Sequence, residues 1–141
     1  MYGEYDCFDL EDCHVIPALM LKMYQSKLNG SPVVVWGSGQ SIRDFVYVKD
    51  VAECLPFFLE HNYEGPINLS SGKGASIKEL VTQMAKIIKG DLKIIWDDKM
   101  PEGPPCKVFD VSKMNSLGLS CSTSLAEGLQ KTYDWFLLNK A

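Results

Sequence analysis

The sequence has no long apolar run and no close cysteine pair, and it contains little arginine and histidine. No apolar stretch approaches the roughly 18 residues that a membrane-spanning helix needs, so we expect no membrane insertion. The five cysteines of the 141-residue chain are odd in number, and none lies in a C-x-x-C pair. Because no signal-peptide pattern is visible either, we expect reduced thiols in a cytoplasmic protein.

Two further absences narrow the class of ligand. The two histidines, His14 and His61, are far apart and neither belongs to a group of ligand-type residues, so we expect no metal site. The formal net charge of −4 argues against general nucleic-acid binding, which depends on a basic surface. An anionic small molecule would need a local cluster of positive groups.

The composition is that of one globular domain spanning 1–141, with 46% hydrophobic and 23% charged residues. A chain of this length can bury a hydrophobic core without cross-links from metal ions or disulfide bonds. It opens on Met1-Tyr2-Gly3 and reaches a turn at once, which is typical of the middle of a larger protein, although a short natural chain is the alternative.

Strands alternate with helices in the predicted order of elements, which indicates an α/β or mixed α+β fold. Capping boxes at Ser76–Glu79 and Ser124–Glu127 open two of the helices. The predicted elements are a helix from Asp12 or Cys13 to Gly30, strands at 33–36 and 42–48, a helix at 51–60 kinked by Pro56, a strand at 67–69, a helix from 77 to Gly90, a strand at 92–96, an irregular loop at 97–107 and a final helix with Leu125, Leu129, Tyr133, Phe136 and Leu137 inward.

The segment 33–51 is the centre of the functional interpretation. It contains Arg43, the only arginine in the chain. An arginine between aromatic neighbours offers a planar fork of donors that suits two oxygens of a phosphate or carboxylate. The alternative is an edge-strand arginine in water.

Two glycine-rich segments look like nucleotide-binding loops but lack the required pattern. Gly37-Ser38-Gly39 has no third glycine, because Ile42 stands in that position, and a strand rather than a helix is predicted to follow. Ser71-Gly72-Lys73-Gly74 lacks the earlier glycine of a phosphate loop and the serine or threonine after its lysine. We therefore expect no cofactor-binding glycine loop in this chain.

Three other residues could act on a ligand. His14, at the start of the first helix, could exchange protons near neutral pH, or could be a surface residue that caps the helix. Lys22 lies two turns further along, near the same helix face, and would by itself be a solvated lysine. Trp36 precedes the glycine turn and could stack on a flat ring, although tryptophan at such a place is more often part of the core.

Together these residues lie in stretches that resemble the GDP-L-fucose synthase family, extended short-chain dehydrogenases/reductases that act on nucleotide sugars. The matching stretches are YGEYDCFDLEDCHVIPALMLK (2–22), VVVWGSGQSIRDFVYVKDVAE (33–53), INLSSGKGASIKEL (67–80), MPEGPPCKVFDVSKMNSLG (100–118) and SLAEGLQKTYDWFL (124–137).

The resemblance covers only the carboxy-terminal part of such an enzyme and implies a small substrate-binding domain that lacks most of the Rossmann domain. In the family, the amino-terminal part binds NADPH and carries the reductive Ser, Tyr and Lys and an epimerisation cysteine. The implied reaction on GDP-4-keto-6-deoxy-mannose is epimerisation at C3 and C5 followed by hydride transfer to C4, which the fragment alone is not expected to complete.

By position, the resemblance implies a role for six residues. His14 matches the acid–base histidine near the nicotinamide, and Met1 ends a cofactor-contacting segment. The residues implied to contact the GDP-sugar are Lys22, Trp36, Arg43 and Glu102, the last in place of a usual aspartate. Four departures from the family pattern are Glu4, Cys7, Lys49 and Cys106.

The resemblance also implies that helix 51–60 and strand 67–69 pack on the cofactor domain. In its absence we expect an exposed apolar patch and self-association, such as a dimer. The alternatives are a non-catalytic nucleotide-sugar binding or interaction module, and the same part of another nucleotide-sugar epimerase/dehydratase.

Overall fold

A computed structural model describes residues 1–140 and shows a mixed arrangement of helices and strands, as the sequence predicts. In chain order the elements are α1 (Val15–Asn29), β1 (Val33–Trp36), β2 (Ile42–Asp44), α2 (Val48–Glu60), β3 (Gly74–Ser76), α3 (Ile77–Ile88), β4 (Ile94–Asp97), β5 (Cys106–Lys107), α4 (Ser112–Ser116) and α5 (Leu125–Asn139).

The strands form two small sheets. β1 and β4 pair in parallel, with Val33 opposite Ile94 and Trp36 opposite Asp97. In the other sheet β2 is central, antiparallel to β3 on one side and parallel to β5 on the other. The alternative of an edge-strand arginine at position 43 is therefore wrong, because Arg43 lies on the middle strand.

Helix α1 begins two or three residues later than the sequence predicts. The backbone N–H groups of Asp12 and Cys13 both donate to the carbonyl of Asp9, at 3.3 and 2.9 Å, so these residues belong to a preceding turn. His14 then takes the N-cap position. The predicted end is confirmed: Gly30 adopts a left-handed conformation and its N–H donates to the Ser26 carbonyl.

The strand predicted at 42–48 is too long and the following helix too short. β2 ends at Asp44, since β3 and β5 offer only three and two residues to pair with it. Tyr47 then makes a single bridge to Tyr2, and α2 begins at Val48. α2 continues to Glu60 with Pro56 inside it.

The strand predicted at 67–69 is wrong. Ile67 and Leu69 instead pack against the small cluster formed by Val46, Cys54, Met114 and Cys121. A strand needs a neighbouring backbone to pair with, and among residues 1–140 no strand lies beside this segment. The apolar side chains of this segment therefore contribute to the small cluster, and its backbone forms no strand.

The two predicted capping boxes behave differently. At Ser76 both reciprocal bonds of the box form, so that prediction is confirmed. The Ser124 hydroxyl accepts from the Glu127 N–H at 3.2 Å, but the Glu127 carboxylate pairs with Lys131 at 2.8 Å. Only half of that box is present.

The main core lies between α1, α3, α5 and the β1–β4 sheet. Phe136 is fully buried, with ring centroids of Phe8 and Tyr24 at 4.9 and 5.2 Å. Leu129 and Tyr133 are buried on the same face of α5, whereas Leu137, predicted inward, is 42% exposed. Leu137 lies at the margin of the i, i+4, i+7 stripe, where a helix face turns away from the core.

Two departures from the family pattern, Glu4 and Lys49, contact each other. Their side chains form an ion pair at 2.8 Å, and the Tyr47 hydroxyl donates to the same carboxylate at 2.7 and 2.8 Å. Burial disfavours the charged form of Glu4, but hydrogen bonds from Lys49 and Tyr47 outweigh it and lower the pKa of the carboxyl. The two unusual residues thus compensate each other and attach the amino-terminal segment to α2.

The outward face of α2 carries apolar side chains. Leu55 is 53% and Leu59 88% exposed, and in the part of the chain that the structure describes nothing covers them. Among residues 1–140, no helix combines the length and apolarity required to cross a bilayer. Exposed leucines on one helix face are typical of a contact surface.

We expect this face to cause concentration-dependent self-association. In sedimentation velocity, the double variant Leu55→Glu/Leu59→Glu should remain monomeric at protein concentrations where the unmodified chain sediments faster, because charge opposes burial of the face. Leu28→Glu is the matched control, since Leu28 is 68% exposed on α1. A chain that is monomeric at every concentration would contradict the expectation.

Candidate functional site

A cavity of about 720 Å³ lies where α1, β1, β2 and the 97–107 loop meet. This volume falls within the roughly 300–1,000 Å³ typical of small-molecule sites. All six residues singled out from the sequence line it, namely Met1, His14, Lys22, Trp36, Arg43 and Glu102. The fold thus brings positions separated by as many as 101 residues into one cavity.

The N-cap of α1 is His14, and Lys22 lies in the middle of the helix. His14 precedes the first turn, where its backbone carbonyl accepts from the Ala18 N–H at 3.0 Å. His14 is exposed and occupies the N-cap position, as the alternative of a surface histidine that caps the helix expects, although its imidazole makes no capping hydrogen bond. The Lys22 ammonium donates to the Val34 carbonyl at 3.4 Å, which holds the charge over β1 beside the cavity.

Trp36 is the last residue of β1, and it is 56% exposed rather than part of the core. The chain turns away immediately afterwards at Gly37 and Gly39, both with φ of 79°. A Cβ atom at Gly37 would collide with Glu102, and one at Gly39 would collide with Trp96. The two glycines are therefore needed for the close approach of Glu102 and Trp96.

The Arg43 guanidinium attaches β2 to the proline-rich loop. One terminal nitrogen donates to the carbonyls of Ile42 and Pro104 at 2.7 and 2.6 Å, and the other donates to the carbonyl of Glu102 at 2.9 Å. A guanidinium carries five N–H groups. Three are thus used on backbone carbonyls, and two remain for a ligand.

Glu102 lies against the glycine turn. Its carboxylate accepts a hydrogen bond from the Ser38 backbone N–H and another from the Ser41 hydroxyl at 3.3 Å. The hydrogen bond from Ser38 is the main reason that the pKa of Glu102 is lowered, and Ser41 contributes in the same direction. The loop is therefore held at two points, by its carbonyls on Arg43 and by its carboxylate on the turn.

Sequence reasoning missed several residues of this cavity. Lys107 pairs with Arg43 in the register of β2 and β5, and its ammonium lies 5.7 Å from the centre of the Phe109 ring. Both residues line the cavity, as do Asp44 and Ser41. Lys107 had only one sequence signal, its place beside Cys106 in the loop, and its pairing with Arg43 depends on tertiary structure.

The cavity is locally positive in an acidic chain. Lys22, Arg43 and Lys107 contribute three positive charges, against two carboxylates from Asp44 and Glu102. Both carboxylates already accept hydrogen bonds from serine hydroxyls and backbone N–H groups. Cys106, the departure in this loop, is exposed and outside the cavity lining, whereas the adjacent Lys107 is within it.

The residues present do not fit a whole dinucleotide cofactor. The Gly37–Gly39 turn leads into β2, whereas a dinucleotide-binding loop must open a helix. Across the described 140 positions, no three His, Cys, Asp or Glu side chains are grouped as metal ligands. The glycine turn of this chain is therefore not a dinucleotide-binding loop.

With this geometry in place, comparisons with known proteins identify the class. A model of the NAD dependent epimerase/dehydratase family matches residues 1–70. The chain belongs to this family, whose members use a nicotinamide cofactor.

Within the family, the chain is similar to GDP-L-fucose synthases. It is 41% identical to GDP-L-fucose synthase 1 of Arabidopsis thaliana over 99% of this chain and 44% of the relative. The NADP-bound crystal structure of a GDP-L-fucose synthetase from Naegleria fowleri superposes with a TM-score of 0.90 at 29% identity, covering 98% of this chain and 44% of that one. UDP-glucose 4-epimerase of Thermotoga maritima, solved with UDP-glucose, gives a TM-score of 0.87 at 25% identity, covering 99% and 44%. The chain thus spans less than half the length of these relatives.

The lowered pKa of Glu102 gives a testable pH dependence. Because the folded-state pKa is below the usual glutamate value of 4.5, the contact with Ser38 should persist at pH 4.5 and be lost as the pH falls through the lower pKa. The Ser38 amide resonance, followed by NMR, should therefore titrate with a midpoint below 4.5.

The matched control is Glu102→Gln, whose Ser38 amide should not show this titration. A midpoint at or above the usual glutamate value would mean that the carboxylate does not hold the turn.

Proposed function

We propose that this chain forms the GDP-sugar side of an NADPH-dependent epimerase/reductase that converts GDP-4-keto-6-deoxy-mannose to GDP-L-fucose. The observation that carries the proposal is the convergence of His14, Lys22, Trp36, Arg43 and Glu102 on one cavity. The chain alone does not catalyse reduction, because NADPH is bound mainly by residues outside it.

The diphosphate of the ligand binds at the positive part of the cavity. Arg43 has two N–H groups left for phosphate oxygens, and three hydrogen bonds already fix the plane of its guanidinium. Charge-assisted bonds of this kind are roughly twice as strong as neutral ones. Lys22 supplies a second positive charge from α1.

The exposed face of Trp36 provides a surface on which a flat ring of the ligand stacks. Trp36 lies at the end of a strand and is 56% exposed, so its large ring is accessible to a ligand. Glu102 keeps the loop in contact with the glycine turn beside this surface. Together these residues enclose the nucleotide end of the ligand.

His14 supplies acid–base chemistry in the same cavity. Epimerisation beside a ketone requires one group to remove a proton and another to return it. The imidazole of His14 is exposed and is not used to cap α1, so either ring nitrogen is available for proton transfer. We assign it the return of the proton, with Met1 at the nicotinamide edge of the same cavity.

The rest of the enzyme covers the apolar face of α2. This chain spans 44% of the Arabidopsis relative, so more than half of such an enzyme lies outside it. Burial of Leu55 and Leu59 by that portion stabilises the assembly at roughly 25 cal/mol per Å² of apolar area. The complete enzyme is cytoplasmic and dimeric in this proposal.

Calorimetric titration with GDP tests the nucleotide assignment. Arg43→Ala and Lys22→Ala should each weaken GDP binding at least about tenfold, because each removes a charge-assisted contact to phosphate. Lys27→Ala is the matched control: Lys27 also lies on α1 and donates to a backbone carbonyl, that of Ile88 at 2.9 Å, but it is outside the cavity lining. A folded chain that binds no GDP would refute the proposal and favour a non-catalytic interaction module.

The role of His14 is tested in the chain completed by a matching cofactor domain. His14→Gln should slow solvent deuterium incorporation at C3 and C5 of the substrate by about 10²–10⁴-fold, while NADPH binding stays unchanged. His61→Gln is the control, since His61 follows α2, its Nδ1 donates to the Phe57 carbonyl at 3.0 Å, and it lies outside the cavity lining. Unchanged deuterium incorporation in His14→Gln would remove this residue from the mechanism.

The same part of a UDP-sugar epimerase is the second candidate. It is favoured by the similarity to the UDP-glucose 4-epimerase structure, although the identity is only 25%. Titration with UDP in parallel with GDP separates the two, because the purine and pyrimidine rings differ in stacking area on Trp36. Tighter binding of UDP would favour this candidate.

A further inference from the structure

Asp44 connects three separate segments at the end of β2. One carboxylate oxygen accepts from the Ser71 hydroxyl at 2.6 Å and the Ser71 N–H at 3.2 Å. The other accepts from the Gly72 N–H at 3.0 Å and the Phe109 N–H at 3.3 Å. A carboxylate with four donors is fully used as an acceptor.

These bonds explain the segment Ser71-Gly72-Lys73-Gly74, which looks like a phosphate loop. Consecutive N–H groups in such a turn form a concavity that binds anions. Here the anion is the chain's own carboxylate, because Ser71 and Gly72 both donate to Asp44. The segment therefore binds a side chain in place of a phosphate.

The bond to Phe109 acts on the wall of the cavity. The pairing of β2 with β5 ends at Arg43 and Lys107, so the Asp44 side chain continues the connection beyond the last backbone pair. The Phe109 ring and the Lys107 ammonium both line the cavity and lie 5.7 Å apart. The position of Phe109, two residues after the last backbone pair, thus depends on a bond that is made by a side chain, and the Lys107 ammonium lies beside the Phe109 ring.

We propose that Asp44 is a positioning residue that holds Lys107 and Phe109 at the phosphate end of the cavity through its bonds to Ser71, Gly72 and Phe109. This inference rests on the proposed binding of a nucleoside diphosphate. Asp44 itself does not contact the ligand, since its acceptor sites are used within the chain.

Replacing the Asp44 carboxylate by a neutral amide should change GDP binding in opposite directions, depending on whether the charge or the hydrogen bonds of Asp44 matter more. A carboxylate near a bound diphosphate repels it, so removal of the charge alone would tighten binding. Loss of the hydrogen bonds releases the wall, which weakens binding of the phosphates. The sign of the change in Asp44→Asn therefore distinguishes positioning from simple repulsion.

The experiment is titration of the full chain with GDP and with guanosine, which lacks phosphate. In Asp44→Asn we expect about tenfold weaker binding of GDP and a change of less than about twofold for guanosine, because only the phosphate end depends on the wall. Asp110→Asn is the matched control. The Asp110 carboxylate accepts from the Ser112 hydroxyl at 2.5 Å, and Asp110 lies outside the cavity lining. NMR hydrogen exchange should show faster exchange at the amides of Ser71, Gly72 and Phe109 in Asp44→Asn alone.

Equal losses for GDP and guanosine, or tighter binding of GDP, would overturn the positioning role. If Asp44→Asn does not fold, Ser71→Ala decides, because it removes a single donor and should weaken GDP binding about twofold to threefold without affecting guanosine. A parent chain that binds no GDP would refute the proposed function together with this inference. If the parent chain binds GDP and every variant binds it equally well, the inference is refuted and the proposed function is not.

Discussion

The structure of the cavity depends on the hydrogen bonds that the Arg43 guanidinium donates to backbone carbonyls. Those bonds attach the loop carbonyls of Glu102 and Pro104 to the central strand of the small sheet. The loop contains three prolines and one glycine between Met100 and Cys106, and it has little regular hydrogen bonding of its own. Arg43 supplies those missing connections, so the residue that we assign to the phosphate also builds the wall around it.

The cations of this cavity stay free for a ligand only if its carboxylates have other hydrogen-bond partners. Glu102 is bonded to the glycine turn and Asp44 to Ser71, Gly72 and Phe109, so neither needs a lysine or arginine as its partner. Charge-assisted bonds from N–H groups stabilise a carboxylate without a salt bridge. As a result, the cations of Lys22, Arg43 and Lys107 stay available for an anionic ligand.

The sequence predicted the parts of the fold that depend on local signals. The Ser76 capping box opens α3, and Gly30 ends α1, because both signals act within one helical turn. The strand at 67–69 and the length of β2 were wrong, since a strand forms only where another segment supplies hydrogen-bond partners. The close approach at the glycine turn also depends on distant segments: Glu102 lies against Gly37 and Trp96 of β4 lies against Gly39.

The fold groups the candidate site residues that were selected from the sequence, but two of their neighbours were not selected. Family resemblance selected the residues from α1, β1, β2 and the loop, and the fold places them around one cavity. It did not select Lys107 or Asp44, whose contributions arise from the pairing of β2 with β5 and from a side chain that extends that pairing. Such contacts join distant segments and leave no periodic signal in the sequence.

The most direct test of the account is a crystal structure of this chain with GDP. The account predicts that the diphosphate oxygens lie within hydrogen-bond distance, roughly 2.7–3.2 Å, of the free N–H groups of Arg43, with the base against Trp36. GDP bound elsewhere on the surface, with Arg43 still bonded only to the carbonyls of the loop, would contradict it.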